Sequence, residues 1–293
     1  RRTVRSFFQK YFLAGLLIPF LFVHTFYWLL AIRNGYYSLF LEHYEMSIVV
    51  VFSGLVGGAT AEGGGAIAFP VMTLLLHVPA GVARDFSAMV QCIGLTSAAF
   101  SIFFMGVLIE QRTLLLATLG GSFGTIFCLE FIDPLLTPNL KKMIFVSVFF
   151  SFAIALYILN SQKKRVTFRR IRNFGWSDAL VLVFVGFVGG LFSGMAGTGL
   201  EVFAFSVITI LYRISEKVAT PTTVSLAAIN SLVLVFWRHF MQQNLETLSW
   251  KYLAVSAPVV SVFAPLGALL SSHFHRQTLA FMIYFLETIT VVS

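Results

Sequence analysis

With 293 residues, 58% of them hydrophobic and 11% charged, and a mean hydropathy of +0.89, this chain does not read as a soluble domain, which would carry about 25% charged residues. Its formal net charge of +8 is not a nucleic-acid footprint. The basic residues sit in short clusters between apolar stretches, where orientation of membrane spans by cytoplasmic lysine and arginine accounts for them. The length holds roughly nine spans of ~20 residues and leaves little for a soluble domain.

Residues 1–10 carry Arg1, Arg2, Arg5 and Lys10. The first apolar segment, Tyr11 to Ile32, exceeds the ~7–15 residue apolar core of a signal peptide and is read as a retained span with His24 packed inside it. A polar loop with Glu42, His43 and Glu45 follows. The next segment, about Ser47 to His77, contains a glycine-rich interruption running from Gly54 through Gly57, Gly58, Thr60 and Glu62 to Gly63, Gly64 and Gly65. A loop with Pro79, Gly81, Arg84 and Asp85 leads into a span at about Phe86 to Leu108, for which Asp85 is the expected N-cap. A turn at Glu110 and Arg112 precedes a span over Thr113 to Phe131. The loop from Asp133 to Lys142 precedes another at 143–160.

The most basic stretch, with Lys163, Lys164, Arg165, Arg169, Arg170 and Arg172, then joins two related halves. A second interrupted segment, about Asp178 to Tyr212, runs through Gly186, Gly189, Gly190, Ser193 and Gly194 to Gly197, Thr198, Gly199 and Glu201. Thr220 and Pro221 are the expected start of the next span, ending near Trp237. A span at about 250–271, a turn with His273, His275 and Arg276, and a last span from Gln277 containing Glu287 complete the chain. Cys92 and Cys128 lie in apolar segments without metal-ligand spacing and read as small packing residues.

The two interruptions share Gly-x-Val-Gly-Gly, with Gly54 and Gly186 separated by 132 residues. Glycine costs a helix ~1 kcal/mol per residue relative to alanine, so each cluster predicts two helical pieces with loosened backbone between them. Open backbone inside a bilayer is tolerated only where protein buries it or a polar cavity solvates it. The predicted fold is therefore an all-α polytopic membrane protein. It comprises an N-terminal span and loop (1–45), a first half (46–160), a basic linker (161–177) and a second half (178–293). Each half carries a glycine-broken helix pair plus three spans. With residues 1–10 and the linker on the cytoplasmic side, the loops 33–46 and 78–86 both fall outside, so the broken segment enters and returns on one face. Arms of about 13 to 15 residues reach only ~20–22 Å, short of a ~30 Å core. That arrangement inverts one half relative to the other; a broken helix that crosses once would give parallel halves instead.

These doubled breaks, together with the stretch from Val218 to Ser225 and Asn230 beyond it, resemble the TauE/SafE sulfite exporter family over residues 46–293. The resemblance implies membrane export of sulfur-containing anions such as sulfite, thiosulfate or organosulfonates. The first half reads Arg84-Asp85-Phe86-Ser87-Ala88 where the second has its Thr-Pro-Thr-Thr-Val-Ser run, a departure from the pattern.

Gly63, Gly64 and Gly65 precede one half-helix and Gly197, Thr198 and Gly199 the other. Unpaired N–H groups there would receive an anion, which glycine lets reach the backbone. The earlier set, Gly54, Gly58, Gly186, Gly190 and Gly194, has the small-x-x-x-small spacing of close helix packing. Glu62 and Glu201 are buried acids that could carry a coupling proton. Glu201 alternatively completes a capping box with Thr198. Thr222, Thr223, Ser225 and Asn230, with Ser87 and Gln91 as first-half counterparts, either donate to an oxyanion or make interhelical hydrogen bonds. No cofactor, metal or enzyme motif is present. The expected partners are a small anion and the lipid bilayer, with no nucleic acid, and with membrane-protein partners or a homo-oligomer left open. The reading is a secondary transporter working by proton-coupled alternating access. The alternative is a non-transporting membrane subunit of a larger complex.

Overall fold

A computed structural model of the chain describes residues 12–60, 64–161 and 166–271. Glu62, Gly63, His273, His275, Glu287 and the expected last span lie outside them. The described residues are helical almost throughout, and six of their helices are long and apolar enough to cross a membrane.

In chain order the described α-helices are α1 (Phe12–Asn34), the short α2 (Tyr37–Glu42), α3 (Tyr44–Ala59), α4 (Gly65–Pro70), α5 (Ala80–Phe104), α6 (Gln111–Phe127), α7 (Pro138–Ser161), α8 (Trp176–Ala196), α9 (Leu200–Ser206), α10 (Glu216–Phe236) and α11 (Thr247–Ser271). Four of them end in a single wider π-helical turn: α4 at Val71–Leu75, α6 at Cys128–Ile132, α9 at Val207–Leu211 and α10 at Trp237–Met241. Both glycine breaks are present. α8 stops because Gly197 takes the left-handed conformation at φ 79° and returns its N–H to the Ser193 carbonyl at 2.8 Å. Gly199, at φ 139°, then starts α9. α3 stops at Thr60, which is extended and whose hydroxyl bonds back to the Val56 carbonyl.

Interhelical contacts fix the direction of every element. The Phe168 N–H donates to the Arg213 carbonyl and the Ser215 N–H to the Phe168 carbonyl, so the linker lies beside the start of α10; call this the linker end. The far end of α10 brings Arg238 onto Asp85, so α5 begins at the far end. α11 begins there too, with Ser249 donating to the Val82 carbonyl. α3 runs parallel to α11: Ser47 bonds the Val255 carbonyl, and Gly58 lies against Ala264 and Ala268. The first broken segment therefore enters and leaves at the far end. The second enters and leaves at the linker end, where Tyr212 donates to Asp178 at 3.1 Å. Burial, with that carboxylate beside it, pushes the Tyr212 hydroxyl up to about 12, so it stays a neutral donor. Both segments re-enter, in opposite senses.

The arms are less equal than expected. α8 has 21 residues, ~32 Å at 1.5 Å per residue, enough to cross by length alone. Its return arm nevertheless folds back along it, with Phe192 stacked on Phe203 at 4.8 Å. The return arms match across the two halves. The π-turns start 136 residues apart at Val71 and Val207. Each is followed by a non-glycine residue in the left-handed region, His77 and Arg213, both at φ 53°. The bonds from Val78 to Met72 and from Ile214 to Ile208 are both 2.8 Å.

Glycine builds the two lateral seams, as the small-residue spacing predicts. Gly186 packs on the Ala117 carbonyl, Gly190 on Gly121, and Gly124 on Phe187, joining α8 to α6. Gly58 and Gly267 do the same between α3 and α11. The other start signals shift. α5 begins at Ala80, and Asp85 lies inside it rather than capping it. α10 begins at Glu216, so Thr220 and Pro221 fall within the helix. Pro79 and Ser215, in extended conformation, set these earlier starts.

Candidate functional site

The two breaks meet along the far-end half of α5, between Arg84 and Gln91. A Cβ placed on Gly65 would lie 2.7 Å from the Gln91 amide nitrogen and 2.7 Å from Thr198 Cβ. Gln91 Nε2 donates to the Gly197 carbonyl at 2.9 Å. Gly197 itself sits against Arg84 and Ala88 of the same helix. Gln91 thus bridges break to break, and glycine at 65 and 197 is what lets the backbones come this close. Gly64 lies on the Ser53 carbonyl of α3, at 3.1 Å from its would-be Cβ.

The second break satisfies itself. Ser193 Oγ accepts from the Leu200 N–H at 3.0 Å. Thr198 donates to the Glu201 carboxylate, which also takes the Gly199 and Glu201 amides. The expected capping box is altered: Thr198 and Glu201 meet through their side chains, and the residue flanking the helix is Gly199. Glu201 is buried, at 2% exposure, with its charge-accepting oxygens held by neutral donors. Around the junction, Ser53 Oγ and Ser87 Oγ are buried and have no hydrogen-bond partner among the described residues. Ser87 is one turn from Gln91 on the same face of α5. Buried hydroxyls without partners are uncommon and need a reason.

A narrow crevice of about 10 Å³, room for about one water, adjoins this junction between α7 and the second break. Lys141, Phe145, Phe149, Met195, Thr198 and Gly199 are among its lining residues.

The matching family is now decisive for class: the sequence model of the sulfite exporter TauE/SafE family covers residues 46–293. The chain belongs to that family. No curated protein and no solved structure matches it. The TauE/SafE match leaves α1 outside. With its apolar helices, membership makes this an integral, multi-pass membrane protein of an anion-exporter family.

The hydroxyl and amide set expected on α10 does not converge on the breaks. Thr222 accepts from the Glu110 N–H at the linker end and donates to the Val218 carbonyl. Thr223 and Ser225 bond back to carbonyls one turn earlier. The Asn230 side-chain oxygen accepts from Thr125, whose hydroxyl also faces the Gly190 carbonyl. That cluster pins α10, α6 and α8 together. Thr222 and Asn230 thus make interhelical bonds and Thr223 and Ser225 bonds within their own helix, while Ser87, Gln91, Gly64, Gly65, Gly197, Thr198, Gly199 and Glu201 gather at or beside the junction.

Sequence reasoning missed the charge network at the far end. Asp85, at 1% exposure, accepts from Arg84 Nε at 2.9 Å and from Arg238 at 3.1 and 2.7 Å. Asp133 joins it, paired with Arg84 and with Lys141, each at 2.5 Å. Charges beside apolar spans were visible in the sequence, but the partners lie up to 153 residues apart. The one available signal was that charges so close to a bilayer core need counter-charges, since breaking a buried pair costs ~3–5 kcal/mol.

Proposed function

We propose that this TauE/SafE protein is a secondary transporter that exports a small sulfur oxyanion, sulfite being the first candidate, through the junction of its two re-entrant breaks. One observation carries the reading: two oppositely oriented broken segments, from halves 46–160 and 178–293, abut at mid-bundle through Gly65, Gln91, Gly197 and Thr198. Inverted broken helices meeting at the midplane are the architecture of alternating access. Neutral donors suit the task. The unpartnered Ser53 and Ser87 hydroxyls and the Gln91 amide can hold an oxyanion without a fixed charge that would prevent release. In this conformation the junction is closed, so the anion would occupy it only as the halves rock apart. Glu201, beside Thr198, is the group placed to carry a proton, since its charge would repel the anion and protonation would remove that repulsion.

The test is flux of radiolabelled sulfite from proteoliposomes holding the purified chain, with and without a proton gradient. Gradient-stimulated sulfite flux, competed by thiosulfate or a sulfonate, is the expected result. Absence of flux for all three anions, with stoichiometric copurification of another membrane protein, would favour the subunit reading instead.

A further inference from the structure

The charge network and the cavity share one residue. Five buried or nearly buried groups make up the network: Arg84, Asp85, Asp133, Lys141 and Arg238. Among the described residues, three cations stand against two carboxylates, a surplus of one positive charge. Glu130 touches the network only through Gln242, which it shares with Arg238, and is itself exposed. Lys142 turns away to the Thr73 carbonyl at 3.2 Å. Arg84 pairs with both carboxylates, through Nε to Asp85 and one amino group to Asp133, and Arg238 spends all three nitrogens on Asp85, Gln242 and the Asn244 carbonyl. The Lys141 ammonium has three protons and, among the described residues, one ionic partner, Asp133.

Lys141 is also the charged residue on the wall of the cavity that ends at Thr198 and Gly199. The rest of that wall is apolar: Ile144, Phe145, Val148 and Phe149 on α7 face Phe192 and Met195. An apolar wall with one cation on it beside the break draws an anion to a single point, because the low-dielectric surroundings strengthen that attraction; with no further charge on the wall, the anion is free to move on.

We propose that Lys141 is a transit site for the anion on the far-end side of the junction, where a small oxyanion replaces the Asp133 carboxylate as the ammonium's partner. Asp133 keeps Arg84 during the exchange, so no carboxylate is left unpaired in the interior. The cavity is narrow now, with room for about one water-sized particle, so this site fills as the cleft between α7 and the second break widens. Asp133 is a positioning residue: it holds the ammonium at the wall and competes with the anion for it.

This inference rests on the anion-transport reading, and its test separates the two. Sulfite flux from proteoliposomes gives KM for Lys141→Gln, Lys141→Arg and Asp133→Asn. The expected result is KM raised about tenfold in K141Q, restored to within about threefold in K141R, and lowered in D133N, where the competitor is gone. An unchanged KM in K141Q, or, should that variant not fold, an unchanged KM in D133N, overturns the site while leaving transport through the junction intact. If the wild-type chain carries no flux, the transport reading fails by itself. The site is then decided by sulfite-dependent thermal stabilisation of the detergent-solubilised full chain: present in wild type and lost in K141Q supports it, and absence in wild type overturns it.

Discussion

Glycine makes two kinds of contact in this protein, and the difference separates folding from transport. In the lateral seams, Gly58, Gly186 and Gly190 touch the backbone of a neighbouring helix. Nothing there can move aside, because the contacting atoms are carbonyls held in their own helices. At the central junction, Gly197 and Gly64 also meet backbone carbonyls, of Arg84 and Ser53, but Gly65 faces only side-chain atoms of Gln91 and Thr198. Around Gly65 the neighbours can be displaced at a cost. The seams therefore act as the rigid interfaces of the bundle, and the junction as a place left tight but yielding.

The largest expected effect tests the rigid side of this comparison. Gly190→Leu drives a side chain into the Gly121 backbone, at the upper end of the ~1–3 kcal/mol that overpacking typically costs, or beyond it. Loss of monodisperse protein in detergent and a fall of many degrees in Tm are expected, with any residual protein inactive. Next comes the yielding side. Gly65→Val is expected to leave insertion intact and to lower Tm by a few degrees, much less than Gly190→Leu, while lowering sulfite flux about a hundredfold or more, equivalent to about 3 kcal/mol or more in the flux barrier. Gly65→Ala should fall between. If Gly65→Val destabilised the chain as badly as Gly190→Leu, the junction would be another packing seam and the comparison would collapse.

A smaller effect is expected at the acid. Glu201→Gln preserves the bond from Thr198 and removes the ionisable group. Flux should fall about tenfold, roughly 1.4 kcal/mol, and lose its dependence on the proton gradient while the downhill exchange of anion for anion persists. The observable is the ratio of gradient-driven flux to exchange in the same vesicles. A variant that kept both in wild-type proportion would remove Glu201 from coupling and leave it as a helix-terminus group.

How much of this was legible in the sequence follows from range. The breaks were legible because glycine acts locally: Gly197 and Gly199 carry the positive φ values that end one helix and begin the next. The packing glycines were legible from their four-residue spacing. The inverted, re-entrant arrangement followed from where the basic clusters lie, although the unequal arms did not. The return of α9 along α8 depends on contacts such as Phe192 with Phe203 that no helix-length argument contains. The surroundings of the α10 hydroxyls were not legible, because helical spacing alone does not say which neighbour a face meets. Thr222 meets Glu110, and Asn230 meets Thr125. The far-end network was the least legible. Asp85 looked like a cap from its place after Pro79 and Gly81, yet its partner is Arg238.

Ser87 offers the finest test of whether the junction holds a ligand. Its hydroxyl is buried, without a partner, and one turn from Gln91. A buried unsatisfied hydroxyl costs ~1–3 kcal/mol, so Ser87→Ala should stabilise the empty protein by about 1 kcal/mol and raise its Tm by a few degrees. If the same hydroxyl donates to the transported anion, the variant should also show KM for sulfite raised about threefold, near 0.6 kcal/mol. The two measurements pull in opposite directions, which a purely structural serine does not produce. Gain in Tm with KM unchanged would mean the hydroxyl contributes nothing to the anion, leaving Gln91 and the glycine backbones to hold it.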